Sequence, residues 1–95
     1  MTTNTITKTD AARQAAFVIN RTVYQPSKQR LISRFAENVR AELKRQHMTQ
    51  LELAQKSGVL QGNLSWYVLG KREPKFTTAY LIAKALDVSL DSLLN

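Results

Sequence analysis

The chain has 95 residues, 43% of them hydrophobic, which is enough apolar content for the core of one small domain. It contains no cysteine, which excludes disulfides, thiolate zinc sites and a cysteine nucleophile. Its formal net charge of +7 favours a polyanionic partner, either nucleic acid or an anionic membrane surface.

Residues 1–27 read as an N-terminal extension and residues 28–95 as a helical body. The opening MTTNTITK is polar and Thr-rich, a composition that favours disorder. Thr9 can cap a helix whose first residue, Asp10, suits the positive end of the helix dipole. That helix is predicted over 10–24, through Ala11, Ala12, Ala15, Ala16 and Ile19. The apolar run over residues 15–19 is too short for a membrane span and lacks the layout of a signal peptide. The expectation is a soluble cytoplasmic protein with no membrane partner. Pro26-Ser27 is the first clear punctuation.

Over 28–46, Ile32, Phe35, Val39 and Leu43 recur at three- and four-residue steps, the spacing of one helical face. Arg34, Glu37, Arg40, Lys44 and Arg45 take the other face. His47 reads as a turn residue, and as the only histidine it has no second imidazole with which to share a metal or a catalytic role.

The next helix has strong start signals. Thr49 and Glu52 have capping-box spacing, and Met48 and Leu53 can form the hydrophobic staple around it. Leu53 and Ala54 are expected to face inward, and Gly58 to close the helix after Ser57. After Val59-Leu60 a further helix is predicted over 61–69, burying Leu64, Tyr67 and Val68. Gly70 terminates it, Lys71-Arg72 follow, and Pro74 blocks continuation. A helix over 78–86 is expected to start from Thr77 as cap and to bury Leu81, Ile82, Ala85 and Leu86. Ser89 can cap a short last helix, with Asp91 on its dipole and Leu90, Leu93 and Leu94 on its apolar side. No alternating strand and no internal repeat stands out, so the fold class is all-α.

The charge is not spread evenly. Residues 28–76 hold ten Lys/Arg against four acids, a balance of +6, whereas residues 77–95 hold one Lys against two Asp, a balance of −1. The positive charge therefore surrounds the stretch TQLELAQKSGVLQGNLSWYVLGKREP. With Gln50 counted as the first of twenty residues, Leu53 is fourth, Ala54 fifth, Gly58 ninth, Val59 tenth, Leu64 fifteenth and Tyr67 eighteenth. A small fifth residue lets two helices cross closely, a ninth glycine permits a positive φ, and the apolar places lock the crossing.

This pattern continues through Gly70-Lys71-Arg72-Glu73-Pro74 and LIAKALDV to Leu93-Leu94. It resembles the XRE-type helix-turn-helix of the phage repressor and Cro family over about residues 31–95. Departures are Ser57 where an apolar residue is usual, Leu60 where Ser or Thr is frequent, Val68 for Glu, and Asp87 for Gly. Gly62, inside the second helix of the motif, costs about 1 kcal/mol relative to alanine.

The resemblance implies a compact five-helix lambda-repressor-like domain with an extra N-terminal helical segment. It implies a sequence-specific double-stranded DNA-binding transcriptional regulator, phage or bacterial, whose helix 61–69 enters the major groove. By that analogy the base-contacting set is Leu60, Gln61, Gly62, Asn63, Ser65 and Trp66. Gln61 can pair with adenine through two hydrogen bonds, Gly62 offers only backbone, and the Trp66 ring packs either on a thymine methyl or against protein. The phosphate-contacting set is Thr49, Gln50, Lys71, Arg72 and Lys75.

Family members bind near-palindromic operators as homodimers. Either Leu90 and Leu94 or the N-terminal Phe17, Val18, Val23 and Tyr24 could supply the dimer contact; the latter could instead cover the domain's own core. Lys8, Arg13 and Arg21 could also reach DNA as a basic arm. The alternative function is a DNA-binding antitoxin that autoregulates its operon, with residues 1–27 masking a protein partner. An enzyme is disfavoured, because the sequence has no phosphate loop, no metal cluster and no nucleophile–base set. No cofactor is implied.

Overall fold

Helices follow one another from Lys28 to Leu94 in a computed structural model that describes residues 27–95. They are α1 (Lys28–Arg45), α2 (Gln50–Ser57), α3 (Gln61–Val68), α4 (Phe76–Ala85) and α5 (Leu90–Leu94), with no strand among the described residues. The expectations that fall on residues 1–26, the helix over 10–24 among them, lie outside the described residues.

Each helix starts and stops for a local reason. The Ser27 hydroxyl accepts from the backbone of Arg30 at 3.1 Å and closes the first turn of α1. At α2 the capping box is complete: Thr49 Oγ1 accepts from Glu52 N at 3.1 Å, and Glu52 Oε1 accepts from Thr49 N at 2.8 Å. Ser89 accepts from Ser92 N at the start of α5. The C-terminus of α3 closes on a Schellman pair of bonds, Lys71 N to Trp66 O at 2.9 Å and Gly70 N to Tyr67 O at 3.1 Å. That geometry needs a left-handed residue, and Gly70 supplies it at φ 72°. The same pair of bonds ends α1 around His47 and α4 around Asp87, at φ 54° and 59°. Asp87 thus does the work of the glycine usual in the resembled family, at a cost of about 1–2 kcal/mol for its Cβ.

One core joins all five helices. Val39, Leu53, Leu64, Ile82 and Leu93 contribute from α1 to α5 in turn, and Leu86 adds to them from the end of α4; all six are fully buried. α1 packs on α3 and α5, α2 packs on α3 and α4, and α4 packs on α5.

α4 departs from the expected 78–86. It begins at Phe76 with Lys75 as N-cap, and Thr77 makes no cap because it already lies within the helix. The buried stripe is Ala79, Ile82, Ala83 and Leu86, a helical spacing that turns Leu81 outward to 44% exposure.

The polar side of α1 is not simply a solvated face. Arg40 Nη1 donates to Val68 O at the end of α3 at 2.6 Å. Gln46 Nε2 donates to Leu86 O at the end of α4 at 2.7 Å. Asn38 Nδ2 donates to Leu93 O at 2.8 Å, and Arg34 Nη1 to Asn95 O at 3.0 Å, both at the end of α5. α1 and its C-cap Gln46 therefore satisfy carbonyls that three other helices leave unpaired at their C-termini. The hydrogen bond from Arg45, then that from Gln46, holds the Glu42 carboxyl below its ordinary pKa. No helix among the described residues is long and apolar enough to cross a membrane.

Candidate nucleic-acid interface

α2 and α3 are joined by a tight turn. Gly58, at φ 80°, closes α2 by donating its N–H to Ala54 O at 2.9 Å. Ser57 is buried, and its hydroxyl is satisfied locally. It donates to Ala54 O at 3.4 Å and accepts from Val59 N at 3.2 Å. A serine is thus accommodated at a place where an apolar side chain was the expectation, because the turn itself offers it partners. Ala54 is 6% exposed, and with Leu53 it packs in the same cluster as Leu64, Tyr67 and Val68 of α3.

With those three residues inside, helical periodicity turns the rest of α3 outward. Gln61, Gly62, Asn63 and Trp66 are exposed, as is Leu60 just before the helix. Leu60 is the N-cap and offers no side-chain hydrogen bond, so the amides of the first turn lack a side-chain cap. A Cβ built on Gly62 would meet nothing within 4 Å. The small residue is therefore not demanded by packing, and it leaves open space above the helix.

Two contacts tie this face to its surroundings. Ser65 Oγ donates to Gln50 Oε1 at 3.0 Å, joining α3 to the first residue of α2. Because the Gln50 carbonyl oxygen is used there, the two N–H donors of its amide remain for an outside acceptor. On the other side of α3 the Arg72 guanidinium lies over the Trp66 ring, 5.8 Å from its centroid. The Gln50–Ser65 pair and the Trp66–Arg72 pair thus each tie one residue of α3 to a neighbouring segment.

The remaining expected residues are less closely bound to this group. Thr49 is occupied with its capping box. Lys71 directly follows the turn that ends α3, and it is exposed. Lys75 is also exposed, but it caps α4, and among the described residues no hydrogen bond or ion pair joins its side chain to the others. Among the described residues, no carboxylate pairs with Lys71, Arg72 or Lys75. Glu73, between them in sequence, pairs instead with Lys28 at 3.2 Å. α3 itself carries no charged side chain, so the positive potential comes from the flanking turn.

Sequence reasoning missed Arg40, which fixes the C-terminal end of α3 through Val68. Its acceptor lies 28 residues away, so no local signal announces it.

The helix-turn-helix family model matches residues 39–93, from the middle of α1 into α5. The chain is also 42% identical over 60 residues to a Bacillus subtilis (strain 168) protein named as the uncharacterized HTH-type transcriptional regulator YqaE. That alignment covers 63% of this chain and 52% of the relative, so the chain spans about half the relative's length. No solved structure matches the chain.

Proposed function

Because the chain belongs to the helix-turn-helix family, XRE type, we propose that it is a transcriptional regulator that reads a double-stranded DNA operator through α3. A helix of eight residues is about 12 Å long, comparable to the width of the major groove. Gln61 and Asn63 present amides to base edges, where Gln61 can bond adenine twice. Gly62 permits close approach of the backbone. Leu60 and the outer face of Trp66 are apolar and suit thymine methyl groups.

Around this reading face the Gln50 amide, Lys71 and the N–H edge of Arg72 take phosphates. The Arg72 guanidinium lies over the Trp66 ring, 5.8 Å from its centroid, and no carboxylate among the described residues pairs with it. Thr49 and Lys75 are secondary members of the phosphate set. Two copies occupy a near-palindromic site, with half-sites about one helical turn apart. Occupancy excludes or recruits polymerase.

The observation that carries this reading is the exposed, uncharged face of α3 at Gln61, Gly62 and Asn63, with the Gln50–Ser65 bond and the Arg72 guanidinium over Trp66 beside it. Selection of bound sequences from a random duplex pool tests it. The expected result is enrichment of a two-fold symmetric sequence. A pool that remains random after repeated rounds would refute sequence-specific reading.

A further inference from the structure

We propose that residues 10–24 of the same chain dock into an apolar groove formed by the start of α1, the loop before α4, and α5. The groove has a volume of about 330 Å³, and its apolar walls include Leu31, Ile32, Phe35, Phe76, Leu90 and Leu94. Phe76 is 77% exposed there, the highest exposure of any large hydrophobic side chain among the described residues. Nothing in the turn around it explains this, since Lys75 rather than Phe76 caps α4. Surface of this kind marks a place that something covers.

The connectivity of the chain selects the occupant. α1 begins at Lys28, and Lys28, Leu31 and Ile32 all line the groove. The preceding residues therefore join the body at the groove's own wall. The sequence predicts a helix over residues 10–24, and the three residues 25–27 between it and α1 are a length that suits a link between antiparallel neighbouring helices. They also carry the apolar side chains such a groove requires, in Phe17, Val18, Ile19, Val23 and Tyr24.

A second copy of the chain could present similar groups, but a tethered segment competes at an effective concentration on the order of millimolar. A free copy of a regulator must reach that concentration to displace it. Docking would also cover Leu90 and Leu94, so the pairing of two copies on DNA would use another surface.

The test uses the full chain. Phe76→Ser is expected to lower Tm by roughly 4–8 °C. In a chain that also carries Phe17→Ser and Val18→Ser it should give no further drop. An unchanged Tm for Phe76→Ser alone, or a drop of equal size in both backgrounds, overturns the proposal. A second measurement holds even where these variants fold poorly. The chain has no native cysteine, so a spin label on exposed Thr77→Cys, beside Phe76, reports a single position. Broadening of the amide signals of residues 17–24 within one molecule supports docking. Absence of broadening overturns it. So does broadening that persists between a labelled copy and a separate isotope-enriched copy, which would make a second copy the occupant.

Discussion

Arg40 donates a 2.6 Å hydrogen bond to the carbonyl of Val68, the last residue of α3, the helix proposed to read DNA. A positive group at a helix C-terminus satisfies an unpaired carbonyl and complements the helix dipole at the same time. It also fixes α3 against α1, the longest helix of the fold. The angle at which the reading face is held therefore depends on a residue that lies outside the proposed contact set.

Replacing Arg40 by methionine keeps much of the aliphatic stem and removes the donor. Hydrogen bonds to charged groups contribute about 1.5–3 kcal/mol, and the exposure of Arg40 places this one near the lower end. The expected outcome is a Tm lower by several degrees in thermal denaturation, with DNA affinity reduced more than a surface arginine would warrant. An unchanged Tm would show that the bond contributes nothing net.

Ala54 of α2 is 6% exposed and packs in the core cluster with Leu64, Tyr67 and Val68 of α3. Ala54→Leu should destabilise the domain by about 1–3 kcal/mol through overpacking, or prevent folding. Chemical denaturation measures this directly. A variant as stable as the parent would mean that the two helices do not cross as closely as described.

Gln61 is exposed on the first turn of α3, and no hydrogen bond among the described residues ties down its amide; its truncation is expected to act only through DNA. Gln61→Ala should weaken binding to the selected operator by about 1–3 kcal/mol and leave binding to random duplex nearly intact. Parallel titrations against both DNAs make the comparison. Equal losses on the two would remove Gln61 from base reading.

Lys71 carries the complementary expectation. If its ammonium meets a phosphate, Lys71→Ala should weaken operator and random DNA alike and reduce the salt dependence of log K by about one unit. Titrations across a salt series give that slope directly, and a slope that stays the same would exclude the contact.

Much of the fold could be read from the sequence because its signals are short in range. Thr49 and Glu52 are three residues apart and do form a reciprocal cap. Gly58 and Gly70 stand where the chain turns left-handed. The buried trio of α3, Leu64, Tyr67 and Val68, follows from helical spacing alone, and so does the outward direction of Gln61 to Asn63. What the sequence concealed depends on distant partners. Arg34, Asn38, Arg40 and Gln46 find acceptors 28 to 61 residues further along. No periodicity distinguishes them from ordinary solvent-facing residues. The start of α4 was obscured differently: Thr77 imitates a cap, while the helix begins one residue earlier at Phe76 with no side-chain cap at Lys75. The Ser65–Gln50 bond, which borders the proposed contact face, likewise appears only once the two helices are placed together.

The arrangement around α1 bears on any attempt to move this reading module into another protein. The stretch recognised as the family begins at residue 39, inside that helix. A graft cut there would discard Arg34 and Asn38 and leave the closing turn of α5 without its donors. A portable unit must therefore begin no later than the Ser27 hydroxyl, twelve residues earlier, for α1 to keep its cap and all its donors.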